Sequence, residues 1–225
     1  MPVKLFLLGS PGSGKSTVAR YIERHLANQG WSVEHINDYG ILREMFKEDQ
    51  RKGEGRFKPA YYEEFNARGF DVLKFEAFDE ALQELEQRSE PYLSESEKFE
   101  RTVILIEFAR NDYHKAFHQF SPAFLQDAYF LYLDTDLEIC KQRIRKRVAH
   151  PQTEDDYYVS DYIFQEYYNH HNGLFLMDIL AEEYGIERKR IHIVLNNQVW
   201  NGEEEAPEVD AFIQSIVPAP VECPL

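Results

Sequence analysis

Cysteine is scarce: the 225 residues hold two, Cys140 in a helical pattern and Cys223 in a Pro-rich tail. Two distant cysteines supply neither a disulfide framework nor a metal pair, which points to a reduced, cytoplasmic setting. Long apolar runs are missing too. None approaches the roughly eighteen residues of a membrane helix, and the chain enters a strand pattern directly, with no basic segment ahead of an apolar one. That argues against a signal peptide and against a membrane span. Positive charge is also in short supply, with 25 Lys and Arg against 40 Asp and Glu and a formal net charge of −15. Phosphate backbones are bound by neutralising them with Lys and Arg, so nucleic acid is an unfavourable partner. The eight histidines are scattered, and the adjacent pair His170-His171 suits no zinc spacing.

Aromatics are plentiful, with 14 Tyr and 16 Phe, and hydrophobic residues make up 43%. This supports one α/β domain over 1–217, followed by a flexible tail at 218–225. Five short apolar runs, at 3–8, 32–37, 102–107, 128–133 and 191–195, alternate with helical patterns. Such alternation predicts a five-stranded parallel sheet covered by helices on both faces, a three-layer α/β/α arrangement with right-handed crossovers. An acidic loop at 201–207 leads to a final helix over 208–217. The spacing between the second and third runs is too long for a simple connection. It predicts an insertion over 39–100, with helices at 39–50 and 76–87. Between them, 51–59 reads as a mobile loop holding Arg51, Lys52, Arg56 and Lys58. That loop is either a solvated segment or a basic flap for an anionic substrate.

The chemistry concentrates at residues 9–16, Gly-Ser-Pro-Gly-Ser-Gly-Lys-Ser, a full match to G-x-x-x-x-G-K-[ST]. The apolar run 3–8 precedes it, and Val18, Ala19, Ile22 and Leu26 follow at helical spacing over 15–28. A strand, a glycine loop and a helix N-terminus in that order form a phosphate cradle. Gly9, Gly12 and Gly14 let backbone N–H groups converge where a Cβ would obstruct. The helix dipole adds partial positive charge at the same point. Ser10, Pro11, Ser13 and Thr17 complete the loop. Lys15 is expected to reach the β- and γ-phosphates of ATP, and the Ser16 hydroxyl to ligand Mg²⁺.

In parallel sheets the site lies at the carboxyl ends of the strands. The second run ends at Asp38, placed either to orient an attacking hydroxyl or to cap the helix that follows. The third ends in Glu107 after four apolar residues, a Walker-B pattern with Glu for Asp. That carboxylate is suited to hold Mg²⁺ or to contact substrate, because burying it unpaired costs several kcal/mol. Arg110 is placed to pair with Glu107 or to bind the acceptor. After the fourth run, Arg143 and Arg147 lie one helical turn apart and can stabilise charge on a transferring phosphoryl group. The polar stretch 148–160 reads as a lid, which would exclude water as a competing acceptor. Asn196 and Asn197 follow the fifth run as base or turn contacts, and Asn196-Asn197-Gln198-Val199 is not a guanine-reading Asn-Lys-x-Asp motif.

GSPGSGKST at 9–17, the acidic residue after the second strand, the strand ending in Glu107 and the Arg-rich segment 129–147 together resemble the nucleoside/nucleotide kinase branch of P-loop proteins. The segment 129–147 is similar to that of deoxynucleoside and gluconate-type kinases. The resemblance spans nearly the whole chain and implies a sheet order 2-3-1-4-5, with Arg143 and Arg147 as lid arginines and Asp38 as the acceptor-side carboxylate. It departs from nucleoside monophosphate kinases, since Glu107-Phe108-Ala109-Arg110 only approximates their Asp-Gly-x-Pro-Arg segment. The implied activity is ATP/Mg²⁺-dependent phosphoryl transfer to a small molecule such as a nucleoside or nucleotide. A regulatory NTPase controlling a protein partner and a polynucleotide 5′-end kinase are the rival readings.

Overall fold

The strands alternate their side chains between two apolar layers, and that alternation sets the architecture. In the computed structural model, which describes residues 2–65, 67–95, 97–151, 157–168, 175–198, 202 and 206–217, Leu5 and Leu7 of strand β1 (Val3–Gly9) face one layer. Phe6 and Leu8 face the other. Strands β2 (Ser32–Asn37), β5 (Thr102–Phe108), β6 (Tyr129–Asp134) and β7 (Ile191–Leu195) join β1 in one parallel sheet ordered β2-β5-β1-β6-β7. Counted among themselves, the five strands run 2-3-1-4-5. Helices α1 (Lys15–Ala27) and α9 (Pro207–Ile216) cover the Leu5/Leu7 face. Helices α2 (Asp38–Lys52), α3 (Glu76–Ser94), α4 (Tyr113–Phe117), α5 (Pro122–Leu125), α6 (Leu137–Ala149), α7 (Asp161–Glu166) and α8 (Leu176–Glu183) contribute to the other. Much of the aromatic content is spent there: the ring of Phe6 meets those of Phe108, Phe117, Phe120, Phe124 and Phe130.

The insertion is not purely helical, and of the loop expected at 51–59 only 53–56 is irregular. Arg51 and Lys52 end α2, Gly53 caps it in a left-handed conformation (φ 71°), and β3 (Phe57–Tyr62) pairs antiparallel with β4 (Ala67–Val72). Pro59 and Gly69 interrupt the alternating pattern that would have announced these strands, and Pro59 is tolerated because β3 is an edge strand. Helix α3 also runs on past 87 to Ser94, through Pro91. The expected lid tip at 152–156, the His170-His171 pair, residues 203–205 of the acidic loop and the tail with Cys223 lie outside the described residues. No helix among the described residues is long and apolar enough to cross a membrane.

The chain moves to one side of β1 through β2 and β5, then crosses to the other side for β6 and β7. A crevice therefore opens at the carboxyl ends of β1 and β5. Registers Asn37↔Glu107 and Leu7↔Glu107 bring the ends of β2, β5 and β1 level there.

Candidate active site

Gly9 leaves β1 at φ 142° and Gly12 turns the loop at φ 80°. A Cβ on Gly9 would lie 2.8 Å from the Leu133 carbonyl, and one on Gly12 would collide with the Cys140 carbonyl of α6. The cradle thus needs glycine for packing against β6 and α6 as well as for its backbone angles. The Gly9 N–H donates to the buried Tyr113 hydroxyl at 2.7 Å. Lys15 Nζ donates to the Gly9 and Ser10 carbonyls at 3.0 and 3.1 Å, and burial lowers its pKa while Glu107 and Asp38 pull it back up.

A cavity of about 290 Å³ begins at Lys15 and Ser16 and runs away from the loop. Its lining is charged or polar at Arg20, Glu23, His35, Asp38 and Glu107 and apolar elsewhere, among others at Leu42, Phe70, Val72, Phe78 and Ile163. Glu107 accepts a 3.0 Å hydrogen bond from His35 Nε2, whose Nδ1 lies 3.5 Å from Glu23. Burial pushes the Glu107 carboxyl up, but His35 and Lys15 outweigh it and hold the group below its ordinary value. Ser16 and Glu107 therefore present a hydroxyl and a carboxylate to one space, a donor set that suits Mg²⁺.

Asp38 is the first residue of α2 and does not cap it. Asn37 does, its side chain accepting from the Gly40 N–H at 2.8 Å. The Asp38 carboxylate is bound by the buried Arg110 guanidinium, which also donates to the Phe78 and Ala109 carbonyls. Burial raises the Asp38 pKa, opposed by Arg110 and Lys15. Arg110 therefore turns to Asp38, not to Glu107: on opposite sides of the β5 end, Asp38 has Arg110 and Glu107 has His35.

The two arginines of α6 part ways. Arg143 donates to the Ser13, Asn196 and Gln198 carbonyls at 3.3, 2.9 and 2.6 Å, lashing the glycine loop to the loop after β7. Asn196 does the same through its Nδ2, 2.7 Å from the Ser13 carbonyl, and the Asn197 side chain accepts from the Asp136 N–H at 2.9 Å. Both asparagines thus brace loops, and the Asn196 amide donor is committed to Ser13. Arg147 instead donates to the Tyr157 carbonyl at 3.0 Å and lies 5.0 Å over the Tyr157 ring. That ring stacks on Tyr39 (3.4 Å between centroids, 4° between planes), Tyr39 on Phe70, and Phe70 on Phe46. Tyr158 in turn stacks on Tyr62, and its N–H donates to the Arg68 carbonyl at 3.3 Å. Residues 157–158, at the end of the expected lid, are therefore packed against α2 and the hairpin. Of the other aromatics between 57 and 65, Phe57 is core and Tyr61 is exposed, while the Phe65 side chain lies outside the described residues.

Sequence reasoning missed His35, Tyr39, Tyr113 and Tyr157 as site residues. His35 alternates with Ile36 in β2 and Tyr39 directly follows Asp38, signals that were present. Tyr113 and Tyr157 come close only through tertiary packing.

The sheet order, the glycine cradle and the crevice define a P-loop protein with kinase-like architecture. A profile of the AAA domain family matches residues 5–165, more than half of the chain, and the chain belongs to that family. No curated protein matches it. Among solved structures, a sugar kinase from Janibacter sp. HTCC2649 is similar at 15% identity and TM-score 0.51, covering 97% of this chain and 98% of that one. Shikimate kinases from Acinetobacter baumannii (16%, TM-score 0.43, 96% and 93% covered) and Bacteroides thetaiotaomicron (17%, 0.41, 95% and 95%) are more distant. The sugar kinase likeness establishes the fold and says nothing of the substrate.

Proposed function

We propose that the chain is an ATP/Mg²⁺-dependent phosphotransferase whose acceptor is a neutral, flat-ringed alcohol of nucleoside type. The observation that carries this reading is the cavity itself, which joins the phosphate cradle to an aromatic chamber. Residues Gly9 to Thr17 hold the ATP phosphates, with Lys15 neutralising the β- and γ-oxygens. Ser16 and Glu107 would hold Mg²⁺, which supplies charge neutralisation on those oxygens. Asp38, fixed by Arg110, accepts a hydrogen bond from the acceptor hydroxyl and aims it at the γ-phosphate; its raised pKa suits it to take the proton. Arg147 contributes positive potential near Lys15 and Glu107. Arg143 acts at one remove, by holding the cradle. Catalysis is positioning and electrostatics.

The cationic residues lining the chamber, Lys15 and Arg20, both belong to α1 at the phosphate end, and Arg110 behind it is committed to Asp38. Among the described residues nothing lining the far end would pair with a carboxylate or a phosphate of the acceptor, so a nucleoside is favoured over a nucleotide. The four basic residues of 51–59 have acidic partners: Arg51 and Lys52 pair with Glu48, Arg56 with Glu80 and Lys58 with Asp71. This weighs against a polynucleotide acceptor, since the flap's charge is internally offset. The test is ATP consumption with Mg²⁺, measured alone and with pooled nucleosides, nucleotides, sugars and 5′-hydroxyl oligonucleotides, with products weighed by mass spectrometry. Stimulation by the nucleosides supports the proposal. Slow hydrolysis indifferent to every pool would favour a regulatory NTPase.

A further inference from the structure

On the opposite side of α4 from the sheet, His114 and His118 sit one helical turn apart and point the same way. Their rings are 4.7 Å apart, and both Nε2 atoms approach one oxygen of Glu183, at 2.9 and 3.8 Å. Glu183 comes from the last turn of α8, a separate element. Among the described residues, this is the group in which three metal-ligating side chains bring their donor atoms together, all within 4.8 Å. We propose that His114, His118 and Glu183 form a Zn²⁺ site, closed by solvent in the fourth position.

Two imidazoles and one carboxylate are the donor set that zinc prefers among common divalent ions, whereas Mg²⁺ and Ca²⁺ select all-oxygen sites. Zinc holds N and O donors at about 2.0–2.2 Å, which puts neighbouring ligand atoms of a tetrahedron about 3.3–3.5 Å apart. The observed approaches bracket that value. Small rotations of three side chains that are each roughly half exposed (45%, 56% and 42%) would reach it. The backbones beneath are fixed. Ala116, Phe117 and Leu180 are buried, and the Tyr184 ring packs on Phe117 and His118 at 6.2 and 6.3 Å. Ligands on rigid elements with freely turning tips suit metal capture. Zinc here would tie α4, which follows the Glu107–Arg110 segment, to α8, which follows the Tyr157–Tyr168 segment, and so brace the wall that closes the cavity. The proposal does not depend on the kinase reading.

The test uses the full chain, freed of metal by chelation and held in excess Mg²⁺ and ADP so that the cradle is not a competing site. Zinc titration by calorimetry is compared between the parent and His114→Ala/His118→Ala. The parent is expected to bind one equivalent that the variant lacks, or binds at least about 100-fold more weakly. Zinc should raise the melting temperature of the parent and not of the variant, while the two melt alike without metal. X-ray absorption of the loaded parent should show nitrogen and oxygen donors without sulfur. An equivalent retained unchanged by the variant, or no stoichiometric binding by the parent, overturns the site.

Discussion

The two ends of the cavity are built in opposite ways. The end proposed to hold the phosphates is a contiguous run, residues 9 to 17, in which Gly9 and Gly12 are needed for close approach to β6 and α6. The end proposed to hold the acceptor is assembled from segments far apart in the chain: Asp38 and Tyr39, Phe70 and Val72, Phe78, and Tyr157 to Tyr168. Reactivity that every phosphotransferase of this kind needs can be encoded locally, because a strand, a loop and a helix N-terminus suffice. Selectivity needs a shaped volume, and shape comes from tertiary packing. Changes at the first end should therefore act on the chemical step, and changes at the second on the acceptor alone.

The largest effect is expected from Lys15→Ala. It removes the charge that meets the developing negative charge, and turnover should fall by about 10³-fold or more with the fold intact by circular dichroism. Residual activity within tenfold of the parent would remove Lys15 from the mechanism. At the junction of the two ends, Asp38→Asn should lower the transfer rate about 10²-fold or more while ATP affinity, read by calorimetry, barely moves. An unchanged rate would reduce Asp38 to a partner of Arg110. That partnership has its own signature in denaturant unfolding. Arg110→Met leaves the Asp38 carboxylate buried without its cation and should cost about 3 kcal/mol or more of stability. A loss under 1 kcal/mol would show that the pair is solvated in solution.

Further from the phosphates, Phe70→Ala removes the ring between Tyr39 and Phe46. It should raise KM for the acceptor about tenfold, and KM for ATP should stay the same. Equal rises in both would dissolve the distinction between the ends. The smallest effect is expected at Lys52→Ala, whose ion pair with Glu48 is exposed. Stability should change by less than about 0.5 kcal/mol and transfer not at all; a loss of transfer would restore the basic-flap reading of 51–59.

The same division explains what could be read from the sequence. The five core strands and the cradle were legible because each is a continuous pattern: an apolar run, a spaced set of glycines, a helical stripe. Glu107 was legible as a charge that ends a buried strand. The β3–β4 hairpin was not, because Pro59 and Gly69 disguise its period and β3 buries Phe57 and Ala60 at a spacing of three rather than two. Arg110 was open between pairing with Glu107 and binding the acceptor, and its partner is Asp38, seventy-two residues away. The Tyr157–Tyr39–Phe70–Phe46 stack joins three segments and leaves no mark in any of them.

On the proposed function, the aromatic chamber admits a neutral planar alcohol and presents its hydroxyl to ATP held by the cradle. The most direct measurement follows labelled γ-phosphate from ATP·Mg²⁺ into separate pools of nucleosides, carboxylated cyclic alcohols, nucleotides and 5′-hydroxyl oligonucleotides. Label is expected in a nucleoside-derived product and is expected to be absent with Lys15→Ala. Label confined to a carboxylated or phosphorylated acceptor, or released only as inorganic phosphate at the same rate in every pool, would contradict it.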